Sequence, residues 1–83
     1  MNKVLIKLYI PTLGLQYDIW IAQKATVDNV IKLIVKGLNE LTYGEYNPRI
    51  QPNLYNKNTG LSYDLDDIVE EVNIINGTEL MLM

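Results

Sequence analysis

Few side chains in this sequence could do covalent or proton-transfer chemistry. There is no His, which removes the usual proton shuttle near neutral pH. There is no Cys, so thiolate nucleophiles, thiolate metal ligands and disulfides are all excluded. Ser62 is the one serine, and no base stands near it in sequence. Neither a phosphate-binding glycine loop nor an HExxH pair occurs. The densest polar group is Asp64, Asp66, Asp67, Glu70 and Glu71. An EF-hand loop needs ligands at alternating positions around a central Gly. Ile68 and Val69 interrupt that pattern and no Gly is present, so the stretch reads as a solvated acidic loop that caps a helix. Asn76-Gly77-Thr78 matches a glycosylation acceptor but reads as a turn. The chain is therefore expected to be no enzyme, with no cofactor and no metal site. Its remaining chemistry is that of surface recognition.

The 83 residues suffice for one domain, residues 1–83. A chain of this size buries about 60% of its unfolded surface, and a 48% apolar content can fill one modest core. The net charge of −3 has the wrong sign for a nucleic-acid binder. Charge is uneven along the chain. Five Lys face Asp18, Asp28 and Glu40 in residues 1–42, whereas Arg49 and Lys57 face seven acids in residues 43–83. The opening Met1-Asn2-Lys3-Val4-Leu5-Ile6-Lys7 lacks the unbroken apolar run of a signal peptide. No stretch reaches the ~20 apolar residues of a membrane span. The expectation is a cytoplasmic protein without direct membrane insertion.

The elements that must position any surface site can be read from periodicity. Val4, Ile6, Leu8 and Ile10 alternate with Lys3, Leu5, Lys7 and Tyr9, which predicts a half-buried strand. Pro11-Thr12-Leu13-Gly14 predicts a hairpin turn, and Tyr17, Ile19 and Ile21 alternate in a second strand. Thr26 is a helix N-cap, with Asp28 in the first turn. Val27, Val30, Ile31, Ile34, Val35, Leu38 and Leu41 recur at helical spacing, predicting a helix from Val27 to Leu41 that stops near Tyr43-Gly44. Gly37 inside that helix costs about 1 kcal/mol relative to Ala, and either permits close approach to the sheet or is a tolerated flaw.

Leu54-Tyr55 reads as a short strand, Asn56–Gly60 as a tight turn, and Leu61-Ser62-Tyr63 as a brief return strand. Asp64–Asp67 is expected to cap a single helical turn through Val69. Thr78–Met83 is a last strand. The predicted fold class is α+β, a β-grasp with a five-stranded mixed sheet packed on one main helix. As in β-grasp sheets, the last strand is expected to lie centrally and parallel to the first. The expected core is Val4, Ile6, Leu8, Ile19, Ile21, Val27, Val30, Ile31, Ile34, Leu38, Leu54, Val69, Ile74, Leu80 and Leu82.

The chain resembles the ubiquitin-like superfamily in Ile19, Ile21, Thr26 and Val27 at the strand-to-helix join. The likeness continues in Val69, Val72-Asn73-Ile74 and Leu80 near the last strand. It is more closely similar to the YukD/EsaB family, small ubiquitin-like proteins encoded with type VII (WXG100 or ESX-like) secretion systems of Gram-positive bacteria. The phrases that carry this likeness span nearly the whole chain. They are Ile10-Pro11-Thr12, Tyr17-Asp18-Ile19, Lys36-Gly37-Leu38-Asn39-Glu40-Leu41, Leu54-Tyr55-Asn56-Lys57, Thr59-Gly60, Tyr63-Asp64 and Asn76-Gly77-Thr78-Glu79-Leu80. The resemblance implies a cytoplasmic accessory or regulatory factor of the secretion machinery. The implied partner is a cytoplasmic domain of a secretion-system membrane component or ATPase. It supplies no catalytic residues.

Strand alternation then selects a surface. If Ile19 and Ile21 face the helix, Trp20 faces away, and so do Leu5, Met81 and Met83. With Tyr55 from the third strand, these five are the candidate protein-binding residues on the open sheet face. That face carries the main partner patch in ubiquitin, and Trp, Tyr and Met are enriched at interfaces. The alternative is a small cluster that only stabilises the sheet. A second function class is a ubiquitin- or sulfur-carrier-type substrate of an activating enzyme. The absent Gly-Gly tail disfavours it, leaving a non-conjugated binding module as the expectation. Self-association through an edge strand stays open.

Overall fold

A computed structural model describes residues 2–83. Strand β1 (Lys3–Ile10) and strand β2 (Leu15–Ala22) form an antiparallel hairpin. Its register runs from Lys3 opposite Ala22 to Ile10 opposite Leu15. The turn is held by Leu13 N–H to the Ile10 carbonyl and Gly14 N–H to the Pro11 carbonyl, both 3.1 Å. It closes through Gly14 at φ +63°, which suits a residue without Cβ.

Helix α1 (Val27–Leu41) follows four residues after β2. Its bounds are those the apolar spacing predicts, because both ends are capped. Thr26 Oγ1 accepts from Asn29 N–H at 3.2 Å. The two preceding amides, of Val27 and Asp28, donate to the carbonyls of Asp67 (2.8 Å) and Leu65 (3.0 Å). At the far end the Thr42 hydroxyl donates to the Leu38 carbonyl at 2.8 Å and accepts from Tyr46 N–H at 2.8 Å. Tyr43 and Gly44 then take positive φ, and Gly44 N–H reaches the Asn39 carbonyl at 2.8 Å. Asp28 accepts from Lys32 (2.9 Å) and from Gln51 (2.9 Å), and these bonds hold its carboxyl below the ordinary carboxylate range.

Strand β3 (Leu54–Asn56) and strand β4 (Glu79–Leu82) complete one sheet in the order β2-β1-β4-β3. β4 lies centrally and parallel to β1, as expected for a β-grasp sheet, and it is antiparallel to β3. The sheet is a mixed four-stranded one rather than five-stranded. Leu61-Ser62-Tyr63 makes a single bridge, Ser62 opposite Tyr55, flanked by Asn56 N–H to Leu61 O (2.9 Å) and Tyr63 N–H to Leu54 O (3.0 Å). Asp64 N–H is then taken by the Asp67 carboxylate at 3.0 Å, and Asp67 N–H returns to the Asp64 carbonyl. This tight turn draws the chain off the sheet toward α1 before a second pair can form. Asp64–Asp67 thus caps α1 and not a turn of its own. The short 3-10 helix begins only at Val69 and runs to Val72.

The core lies between α1 and the sheet. Fourteen of the fifteen expected core residues are buried, and Ile10, the last apolar residue of the β1 alternation, joins them. Ile19 is the exception: it is half-buried against the core. It sits on β2 at the sheet edge, where α1 covers the strand only in part. Gly37 does not permit close packing, because a Cβ built there meets nothing within 4 Å. It lines instead an open apolar groove of about 410 Å³ between β2 and α1.

Candidate protein-binding face

The register makes the open face of the sheet a set of cross-strand rows. Leu5 lies opposite Trp20. Lys7 lies between Asp18 of β2 and Glu79 of β4. Tyr9 lies between Gln16 and Met81, and Met81 lies opposite Tyr55. Residues directly opposite on one face have Cβ atoms about 5 Å apart, so each row is a line of side-chain contact.

Leu5 and Trp20 form an apolar pair at one end. Leu5 is fixed on its other side by Gly77 N–H to its carbonyl (2.8 Å) and by its own N–H to Asn76 Oδ1 (2.8 Å). The Asn76-Gly77 turn therefore aims Leu5, and Leu5 supports the Trp20 ring, which remains 58% exposed. Tyr9, Met81 and Tyr55 form a second apolar row, each half-buried. The charged row of Asp18, Lys7 and Glu79 runs between the two groups. Lys57 extends it: its ammonium is 3.7 Å from Glu79 Oε2 and 3.7 Å from the centroid of the Tyr9 ring. A cation so placed is held by both the carboxylate and the ring face.

The five candidate residues thus fall into two groups and an outlier. Leu5 and Trp20 meet, and Met81 and Tyr55 meet. Met83, half-exposed, stands beyond β4, pairs through its backbone with Asn53, and borders a separate depression with Leu13 and Tyr46. Burial in that region holds the Tyr46 phenol above its ordinary value. Tyr9 belongs to the face and was not among the candidates. The signal for it was present, since the alternation that turns Leu5 outward also turns Tyr9 outward. Among the described residues no group of three His, Cys, Asp or Glu could hold a metal ion, and no helix is long and apolar enough to cross a membrane.

A helix laid across a sheet with a central parallel pair of first and last strands defines the class: this is a ubiquitin-like β-grasp fold. No protein-family model matches the chain, and no curated protein does either. Solved structures do. The chain is similar over its whole length to the ubiquitin-like domain of the Mycobacterium tuberculosis type VII secretion system protein ECCD1, with 13% identity and TM-score 0.77, covering 99% of that chain. It is similar to a chain of the MycP5-free ESX-5 inner membrane complex, with 16% identity and TM-score 0.80, its full length covering 21% of that chain. It is also similar to a chain in a toluene 4-monooxygenase complex, with 9% identity and TM-score 0.78, where 96% of this chain covers 95% of that one. Likeness at such identities shows the fold, and one fold serves unrelated functions.

Proposed function

We propose that the protein is a non-conjugated ubiquitin-like binding module and not an enzyme. It acts in the cytoplasm as an accessory or regulatory factor of a type VII-like secretion system. Its partner is a cytoplasmic domain of a membrane component or ATPase of that system, held against the open sheet face. Two things support this reading. The YukD/EsaB-like phrases run through the chain, and similar folds occur in a type VII secretion protein and in an ESX-5 membrane complex. The observation that carries the site is the Leu5–Trp20 pair. An indole 58% exposed, with a leucine opposite to hold it, is the kind of aromatic anchor that dominates protein interfaces.

The test is a capture experiment from cytoplasmic and membrane fractions of the native cell, with wild type beside Trp20→Ala. Trp20 lies outside the buried core, so the variant is expected to fold and melt as wild type does. It should lose capture of the secretion ATPase or membrane component by about ten-fold or more, the loss that accompanies truncation of an interface anchor. Equal capture by the folded variant removes the site. Recovery of no secretion component by wild type removes the assignment to that system.

A further inference from the structure

We propose that the free edge of β2 is a self-association surface, on which a second copy of this chain adds its own β2 antiparallel to form a two-fold dimer. This goes beyond the partner-binding reading of the open face and does not depend on it. β2 is an edge strand of eight residues without Pro or bulge, and Asp18 is its single charge. Edge strands of that kind pair unless something blunts them.

The hydrogen-bond phase of the hairpin fixes which groups are on offer. Gln23 N–H donates to the Asn2 carbonyl at 2.7 Å. Antiparallel ladders alternate, so the bonded pairs of the hairpin continue through Ile21, Ile19 and Tyr17 of β2. The N–H and C=O groups of Gln16, Asp18, Trp20 and Ala22 therefore point away from the sheet. One antiparallel register uses all four residues: Gln16 opposite Ala22 of the second copy, and Asp18 opposite its Trp20. The two-fold axis then passes beside Ile19, a non-hydrogen-bonded pair with its own image.

Side chains and charges agree with this register. Ile19, the one expected core residue left half-buried, meets its image over the apolar groove, where Leu33 and Leu41 of α1 are 68% and 62% exposed. The register sets Asp18, the one charge of each strand, opposite Trp20 of the second copy and not opposite its own image. On the open face it makes the two Trp20 side chains diagonal neighbours, joining the Leu5–Trp20 pairs into one patch across the axis.

The test is sedimentation of the full chain over a dilution series, read together with the emission of Trp20, the only tryptophan. A concentration-dependent dimer with a parallel change in Trp20 emission is expected. Asp18→Pro removes an amide that points off the sheet, so the hairpin keeps its bonds. It deletes one bond per copy across the axis and should weaken the dimer at least about thirty-fold. Its capture of any open-face partner measures the other reading separately. Ile19→Cys keeps the proposal testable should the proline variant misfold. Opposed Cα atoms of a non-hydrogen-bonded pair lie about 4.5 Å apart, within disulfide reach. This chain has no other Cys. Rapid oxidative dimerisation of Ile19→Cys is expected. Tyr17→Cys and Ile21→Cys should link to each other in a mixture and neither to itself. A monomer at every concentration overturns the proposal. A dimer in which Ile19→Cys fails to cross-link overturns it too.

Discussion

At one edge of the sheet, β3 runs for three residues and the Leu61–Tyr63 segment bridges over its outer side. At the other edge, β2 runs for eight residues and pairs on one side only, with β1. The helix-facing side chain of the short strand, Leu54, is fully buried, whereas Ile19 on the long one is half-exposed to a groove. A tight turn and an isolated bridge thus close one side. Nothing comparable closes the other. Residual stability and residual surface lie on opposite sides of the molecule, and the open side is the one beside Trp20.

That comparison breaks most readily at the two edge residues. Leu54→Ala empties a closed site and should cost about 3 kcal/mol, while Ile19→Ala should cost less than about 1.5 kcal/mol because its site is already open to water. Urea denaturation of both variants, at a concentration where the chain is monomeric, checks this. Equal costs would mean that α1 covers β2 as fully as β3. The next effect in size sharpens the open side. Gly37→Ala should stabilise the monomer by up to about 1 kcal/mol, since the added methyl meets nothing and the helix gains propensity. A loss of stability would place the groove wall nearer than the structure does. The smallest effect concerns the side that holds α1 to the α1–β3 segment. The Asp28 carboxyl is depressed in the folded state by its bonds from Lys32 and Gln51. Its contribution is therefore present above the unfolded pKa and is lost as pH falls through the folded one. Asp28→Asn should flatten the acid limb of the stability profile and leave the alkaline limb unchanged.

What was legible in the sequence was local. Period two in Val4–Ile10 and Tyr17–Ile21 gave the facing of each side chain, and Thr26 and Tyr43-Gly44 marked the ends of α1. The rest depended on pairings between distant segments. The charged row appears only when Lys7 is set beside Glu79, a parallel register across more than seventy residues that no local pattern encodes. For the same reason Leu5, Trp20, Tyr55 and Met81 share one face by alternation, yet alternation cannot say that Lys7 separates them. Leu61-Ser62-Tyr63 has strand-like residues, but the competing claim on the Asp64 amide by Asp67 limits it to one bridge. Ile19 has the residue type of a core position. Its exposure follows from strand order, because β2 falls at the edge.

The first amides of α1 have a consequence for how the chain comes together. In most helices these groups face water and fray first. Here Val27 and Asp28 donate to carbonyls of Asp67 and Leu65, about forty residues downstream. The start of the helix cannot be finished until the acidic turn has docked, and the turn has no fixed place until the helix exists. Beginning of helix and far loop therefore open together or not at all, so slow hydrogen exchange at two terminal amides would report on the cooperativity of the whole domain.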